Sequence, residues 1–292
     1  MIFTKILCPI DFSDGSQRAL EAAVGLALAS GATLAILHAW ELPVFAGGYT
    51  AAPAVVQDMT DAIQRGLAEA AAFARGRGVT AVATLDPSGV PWRTIVDTVS
   101  SDPTIDLVVM GTHGRTGLRR VMLGSVAEKV VRLSPSSVLA VHPDDPVGPF
   151  RYISCPTDFS PVSDVALGLA AQLVDGPDAK IELVHVVELP GVIERGSHAI
   201  ALAHDLEQQS EAELERRAKP ILDVAHVSWR TEAGPATERL LELLDRDPID
   251  LVVVGSHGRT GFAHPPLGSV AEKLVRHAHC PVLVARRRDA DQ

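Results

Sequence analysis

The sequence predicts an α/β protein built from two tandem copies of one domain, each a mostly parallel sheet with helices on both faces. Three observations lead there. The stretch "GTHGRTGLRRVMLGSVAEKVVR" (111–132) returns as "GSHGRTGFAHPPLGSVAEKLVR" (255–276), 144 positions on. Within each copy, short β-rich runs alternate with helical patterns. The runs "DLVVMG" and "DLVVVG" are apolar throughout rather than alternating, as expected of strands buried on both faces.

In order along the first copy, 2–8 reads as a strand and 14–30 as an Ala/Leu-rich helix, with Ser13 as N-cap and Gly31 as its stop. Strand 33–38 and helix 59–75 follow, then strand 79–85 and a short helix with its core at 94–99. Strand 105–110, helix 125–132 and strand 137–141 complete a βαβαβαβαβ series. The segments 43–58 and 190–200, Gly/Ala/Pro-rich or mixed, read either as lids or as disordered loops.

The second copy repeats more than the opening words. "ILCPIDFSDGS" (6–16) answers "YISCPTDFSPVS" (152–163), "LAILHAWELP" (34–43) answers "IELVHVVELP" (181–190), and Asp11 and Asp158 lie 147 apart. A unit this long is a whole domain rather than a solenoid repeat. "HPDDPVGPF" (142–150), with three prolines and a glycine, reads as the linker, which gives domains at 1–143 and 150–292.

The chain has 292 residues and a formal charge of −10, which argues against a general nucleic-acid or anionic-membrane binder. No apolar stretch approaches a bilayer span of roughly 20 residues, and Pro9 and Asp11 interrupt the N-terminal apolar run, so no secretory signal is expected. Three cysteines without a CxxC spacing fit a reducing, cytoplasmic setting. Cys8 and Cys155 occupy the same repeat position and read as small buried residues, with a redox role as the alternative.

Two polar signals fall at strand C-termini, where sheets of this kind bind ligands. Asp11 and Asp158 follow the first strand of each copy. Gly111 and Gly255 follow the fourth and open the spacing Gly-x2-Gly-x9-Gly-Ser: Gly111, Gly114, Gly124, Ser125, then Gly255, Gly258, Gly268, Ser269. A glycine after a strand allows a sharp turn and close ligand approach. Gly124-Ser125 opens a helix whose first N–H groups point toward an anion, and Arg115 and Arg259 add positive charge. Together these form a phosphate cradle split across a loop. The competing reading is a set of turn glycines with a Ser N-cap.

The combination "CPIDFS", "LHAW", "VVMGTHGRTG" and "LGSVAEKVV" resembles the universal stress protein family in its tandem two-domain form, over essentially the whole chain. The glycine spacing is that of the family's ATP-binding branch. The resemblance implies flavodoxin-like or Rossmann-like domains, each a five-stranded parallel sheet of order 3-2-1-4-5. It also implies ATP held between strands one and four, with Mg²⁺ as counter-ion. Carried over by motif, Pro9, Ile10 and Asp11 line the adenosine end and Ala39 meets the adenine. Gly111 and Gly114 face the ribose and phosphates, with Gly124, Ser125 and Val126 on the phosphate tail. The second set is Pro156, Thr157, Asp158, Val186, Gly255, Gly258, Gly268, Ser269 and Val270. "FAHPP" (262–266) departs from "LRRVM" in copy one, ahead of an intact Gly268-Ser269.

The function expected from this is a nucleotide-dependent stress-response regulator, with binding favoured over catalysis and any hydrolysis slow. Two alternatives stand beside it: a nucleotide-free partner-binding module, and an adenylating or pyrophosphate-releasing enzyme. The latter lacks a Ser-Gly-Gly-type loop after strand one. An unidentified protein partner is expected. The last strands, 137–141 and 281–285, are expected to pair the domains within the chain, with a homodimer also possible. His113 and His257 read as structural loop histidines and His38 and His185 as satisfied core histidines. "HAHC" (277–280) reads as a solvated helix end, Glu128-Lys129 and Glu272-Lys273 as solvated helix faces, and "RRR" (286–288) as a surface tail.

Overall fold

A computed structural model describes residues 3–42, 52–113, 123–176, 178–188, 197–258 and 267–287, with 197–204 described as backbone only. The chain divides into two compact units, Met1–Val147 and Gly148–Gln292. In the first, β1 (Lys5–Pro9), β2 (Thr33–Leu37), β3 (Val82–Leu85), β4 (Ile105–Gly111) and β5 (Ser137–Val141) alternate with α1 (Asp14–Ser30), α2 (Pro53–Gly76), α3 (Pro91–Ser101) and α4 (Ser125–Leu133). All pairings are parallel and the strand order is β3-β2-β1-β4-β5. The second unit has β6 (Tyr152–Pro156), β7 (Lys180–Val187), β8 (His226–Ala233), β9 (Leu251–Gly255) and β10 (Val282–Ala285). Its helices are α5 (Pro161–Leu173), α6 (Ser197–Ala218), α7 (Ala236–Arg246) and α8 (Ser269–His277). It has the same parallel order, β8-β7-β6-β9-β10. The strand order reverses direction between β1 and β4, and between β6 and β9, leaving a crevice at their C-terminal ends.

The strands are apolar because both faces are covered. Ile6, Leu7, Leu34, Ile36 and Leu107 are fully buried in the first sheet, as are Ile153 and Ile181 in the second. Each such side chain contributes about 1.5–3 kcal/mol. The one acid in the "IDLVV" words has a structural use. Asp106 accepts the backbone N–H groups of Thr4 (2.7 Å) and Lys5 (3.3 Å), and Asp250 accepts those of Arg151 (2.9 Å) and Tyr152 (3.2 Å). Each carboxylate thereby ties the entry of the neighbouring strand.

Helix α1 runs between the residues expected. Ser13 Oγ accepts the Ser16 N–H at 3.3 Å, and Gly31 ends the helix at φ +67°. Ser160 caps α5 in the same way. Helix α2 begins at Pro53, six positions before the expected start, and α3 begins at Pro91. A proline at the first helical position lacks only an N–H that has no intrahelical acceptor there, and its φ already suits the helix. The reading of 53–58 as loop is therefore corrected, as is that of 197–200, which lie in α6. Residues 43–51 and 190–196 lie outside the described residues.

Candidate functional site

Each unit carries a cavity at the strand reversal, about 650 Å³ in the first and about 780 Å³ in the second. The first brings together Pro9, Ile10, Asp11, Ala39, Gly111, Gly124, Ser125 and Val126 from the ends of β1, β2 and β4 and the start of α4. The second brings together Pro156, Thr157, Asp158, Val186, Gly255, Gly258, Gly268, Ser269 and Val270. Gly114, Arg115 and Arg259 lie outside the described residues.

The two helix starts that face these cavities share one geometry. Gly124 has φ −61° and ψ 144°, and Gly268 has φ −61° and ψ 145°. In each, the glycine N–H donates to the carbonyl of the residue just past the fourth strand, Thr112 or Ser256, at 2.8 Å. The first intrahelical bonds are Glu128 N–H to Gly124 O and Glu272 N–H to Gly268 O, both 2.9 Å. The preceding N–H groups of each helix have no intrahelical acceptor and favour an anion. The dissimilar words 262–266 leave this start unchanged, although Pro265 and Pro266 themselves lie outside the described residues.

The strand-end glycines also have a packing purpose that was not expected. A Cβ on Gly111 would lie 2.8 Å from the Gly15 carbonyl carbon and oxygen, and one on Gly15 would lie 2.6 Å from the His113 oxygen. Gly111, which lines the cavity, thus also lets the first turn of α1 press backbone against backbone onto β4. Gly255 is less tightly enclosed, with Val162 Cγ1 at 3.2 Å and Ser163 N at 3.3 Å. Gly258 does serve the site, because a Cβ there would stand 2.6 Å from Asp158 Oδ2.

Asp11 and Asp158 are held by a local turn. Ser13 donates its N–H to Asp11 Oδ1 at 3.1 Å and its hydroxyl to the same oxygen, and the Ser160 N–H donates to Asp158 Oδ1 at 3.1 Å. The residue inside each turn is strained. Phe12 and Phe159 adopt φ +64° and +66°, a left-handed conformation unusual for an aromatic side chain. Their rings stack on His38 and His185 at 4.5 and 4.2 Å between centroids. Those histidines are buried, with Nδ1 2.8 Å from the Ile10 and Thr157 carbonyl oxygens respectively. Sequence reasoning missed both phenylalanines; the repeated Asp-Phe-Ser after a strand was the available signal.

The remaining candidates resolve as structure. His113 Nδ1 lies 2.9 Å from Thr112 Oγ1, and His257 Nδ1 lies 3.0 Å from Ser256 Oγ. His277 and His279 are exposed, His279 beside Asp245 at 2.7 Å. Lys129 is exposed, its amine 5.0 Å from the Trp92 ring centre. Burial pushes the Cys155 thiol up to about 12 and raises that of Cys8 as well, so neither forms the reactive thiolate readily. Arg286 is no surface tail: it is half-buried, and loss of hydration lowers it to about 10.

Sequence reasoning also missed the wall contributed by the second helix of each unit. In the first cavity this wall is Met59, Ala62 and Ile63; in the second it is Leu206, Gln209, Ser210 and Glu213. Behind the second wall, Arg217 bridges Asp164 (3.0 Å) and Glu213 (3.1 Å), donates to the Phe159 carbonyl at 2.8 Å, and lies over the Phe159 ring. Burial raises the Asp164 carboxyl, while Arg217 pulls it the other way.

Comparison with known proteins agrees with this geometry. A model of the universal stress protein family matches residues 3–142 and again 149–286. A universal stress protein of Mycobacterium tuberculosis is 30% identical over 200 residues, 62% of this chain and 62% of the relative. That match spans less than two thirds of the relative's length. A second, from Methanocaldococcus jannaschii, is 32% identical over 143 residues, 47% of this chain and 83% of its own length. The crystal structure of a universal stress protein from Archaeoglobus fulgidus superposes with a TM-score of 0.70 over 97% of this chain and 98% of its own, at 23% identity, a likeness of fold. With the family matched once in each half and the fold reproduced along the chain, this protein belongs to the universal stress protein family as two tandem copies of its domain.

Proposed function

We propose that each cavity binds ATP and that the chain acts as a nucleotide-dependent regulator in a stress response. The observation that carries this reading is the convergence, in both units, of an uncapped helix start and a strand-end aspartate on one cavity. Cavities of this size suit a nucleotide. The N–H groups of Ser125–Ala127 and Ser269–Ala271 would take the phosphates, and Asp11 and Asp158 the ribose hydroxyls. Among the described residues no group of three or more His, Cys, Asp or Glu is placed to hold a metal. Mg²⁺ is therefore proposed as a counter-ion carried in on the phosphates, largely hydrated. The role is binding rather than rapid turnover, read out by a protein partner in the cytoplasm. No helix among the described residues is long and apolar enough to cross a membrane.

The test is nucleotide content. Protein denatured after purification should release close to two adenine nucleotides per chain, measured by anion-exchange chromatography. Ser125→Asp or Ser269→Asp, at exposed first positions of α4 and α8, places a carboxylate where the phosphates sit. An acid there suits the helix dipole, so folding is kept, and each variant should lose one nucleotide. Empty protein that also fails to bind ATP with Mg²⁺ on titration would overturn the reading in favour of a nucleotide-free partner-binding module.

A further inference from the structure

The two cavities differ where the second helix faces them, and one residue there turns a free hydroxyl to the cavity. Counting 147 positions on, Ala62, Ile63 and Gly66 become Gln209, Ser210 and Glu213. Ile63 is 7% exposed and closes the first cavity with an aliphatic surface. Ser210 is also 7% exposed and lines the second cavity, yet its hydroxyl makes no hydrogen bond to another described residue. A helical serine commonly returns its hydroxyl to the carbonyl four residues back, as Ser30 and Ser100 do at 2.6 and 2.8 Å. Ser210 does not. The residue is buried but its hydroxyl is left open to the cavity, which is wide enough for a ligand to supply the partner.

The position of Ser210 says which part of a ligand it meets. Helix α6 packs on β7 and β8, on one side of the reversal, whereas the anion-facing start of α8 follows β9 on the other. Ser210 therefore stands at the end of the cavity away from the phosphates. Glu213, one turn further along α6, faces the same cavity and is tied to Arg216 (2.7 and 2.8 Å) and Arg217. That pairing fixes the helix face that presents Ser210.

We propose that Ser210 is a specificity determinant of the second site, hydrogen-bonding the base of the ligand, where the second helix of the first unit offers only the apolar Met59, Ala62 and Ile63. This rests on the nucleotide reading above. The second site then selects among nucleosides by their polar edge, and the first by shape, with Met59 and Ile63 as its wall.

The experiment isolates each site in the full chain. In Ser125→Asp protein, where ATP enters the second cavity alone, Ser210→Ala should weaken ATP roughly fivefold by calorimetric titration, the change one net hydrogen bond carries. Ser210→Thr, which keeps the hydroxyl, should stay within about twofold, so a general packing fault is distinguished. In Ser269→Asp protein, Ile63→Ala should weaken ATP without altering its preference over purine riboside triphosphate, which lacks the exocyclic amine. Unchanged affinity in Ser210→Ala, or equal weakening in the alanine and threonine variants, overturns this inference and leaves the nucleotide reading intact. No ATP binding by the parent chain overturns both.

Discussion

The first unit and the second were written from one template and have settled the same problem differently. Each must hold a phenylalanine in a left-handed turn beside a cavity. In the first, the space comes from an absent side chain: a Cβ on Gly66 would stand 2.5 Å from the Phe12 ring. In the second, the equivalent helix carries Glu213 and Arg217, and the guanidinium lies over Phe159 with its centre 5.3 Å from the ring centroid. One unit secures its turn by close packing, the other by charge and hydrogen bonds. The lesson is that the duplicated backbone fixes where the cavity lies, while the covering helix is free to change its lining.

The comparison can be broken first at the strand-end glycines, where the largest effect is expected. Gly111→Ala drives a Cβ into the backbone of Gly15, whereas Gly255→Ala meets its neighbours at 3.2 Å or more. Overpacking of this kind costs about 1–3 kcal/mol. Gly111→Ala should reach about 3 kcal/mol and Gly255→Ala about 1 kcal/mol, followed by thermal unfolding of the full chain. Equal losses would remove backbone contact as the reason for Gly111.

A smaller effect sharpens the contrast at the turns. Gly66→Ala should displace the Phe12 ring from His38 and cost about 1–2 kcal/mol, visible in the His38 ring resonances. A shift confined to the helix, with His38 unmoved, would mean that Gly66 does not make room for Phe12.

The smallest effect concerns acid. Asp102, at the end of α3, accepts a hydrogen bond from Lys5 at 2.7 Å, and its carboxyl is lowered to about 2, chiefly by that bond and one from Thr104. A depressed carboxylate adds stability above its unfolded value near 4, lost as pH falls toward 2. The matching Asp247 of the second unit pairs instead with Arg230 at 3.2 Å. Both Lys5 and Asp102 are partly exposed, so the contribution is below about 1 kcal/mol. Asp102→Asn should lower stability at pH 7 by less than about 1 kcal/mol and leave it unchanged at pH 2, flattening the chain's stability curve between pH 4 and 2. A change at both pH values alike would show that the pair is not what titrates.

Much of the scaffold was legible because its signals are local. Ser13 and Gly31 delimit α1, and continuous apolar runs mark the buried strands. The glycine spacing was legible too, and those of its residues that are described line the cavities. The function of Gly111 was not, because a residue's near neighbours across the fold (here Gly15, almost a hundred positions earlier) leave no mark in its own stretch. Phe12 was missed because nothing in the word "DFS" distinguishes a left-handed turn from an ordinary one. Ser210 was missed because the repeat fades along the second helix, where Gln209, Ser210 and Glu213 stand for Ala62, Ile63 and Gly66.

The hydrogen bond that joins Gly124 to Thr112, and Gly268 to Ser256, pinches the two ends of each cradle loop together. What lies between is released from any duty to aim the helix. Copy one could write "LRRVM" and copy two "FAHPP" there, while the words on either side stayed nearly letter for letter the same. A clasp of this sort lets the words inside it diverge between the copies while both helix starts keep one geometry.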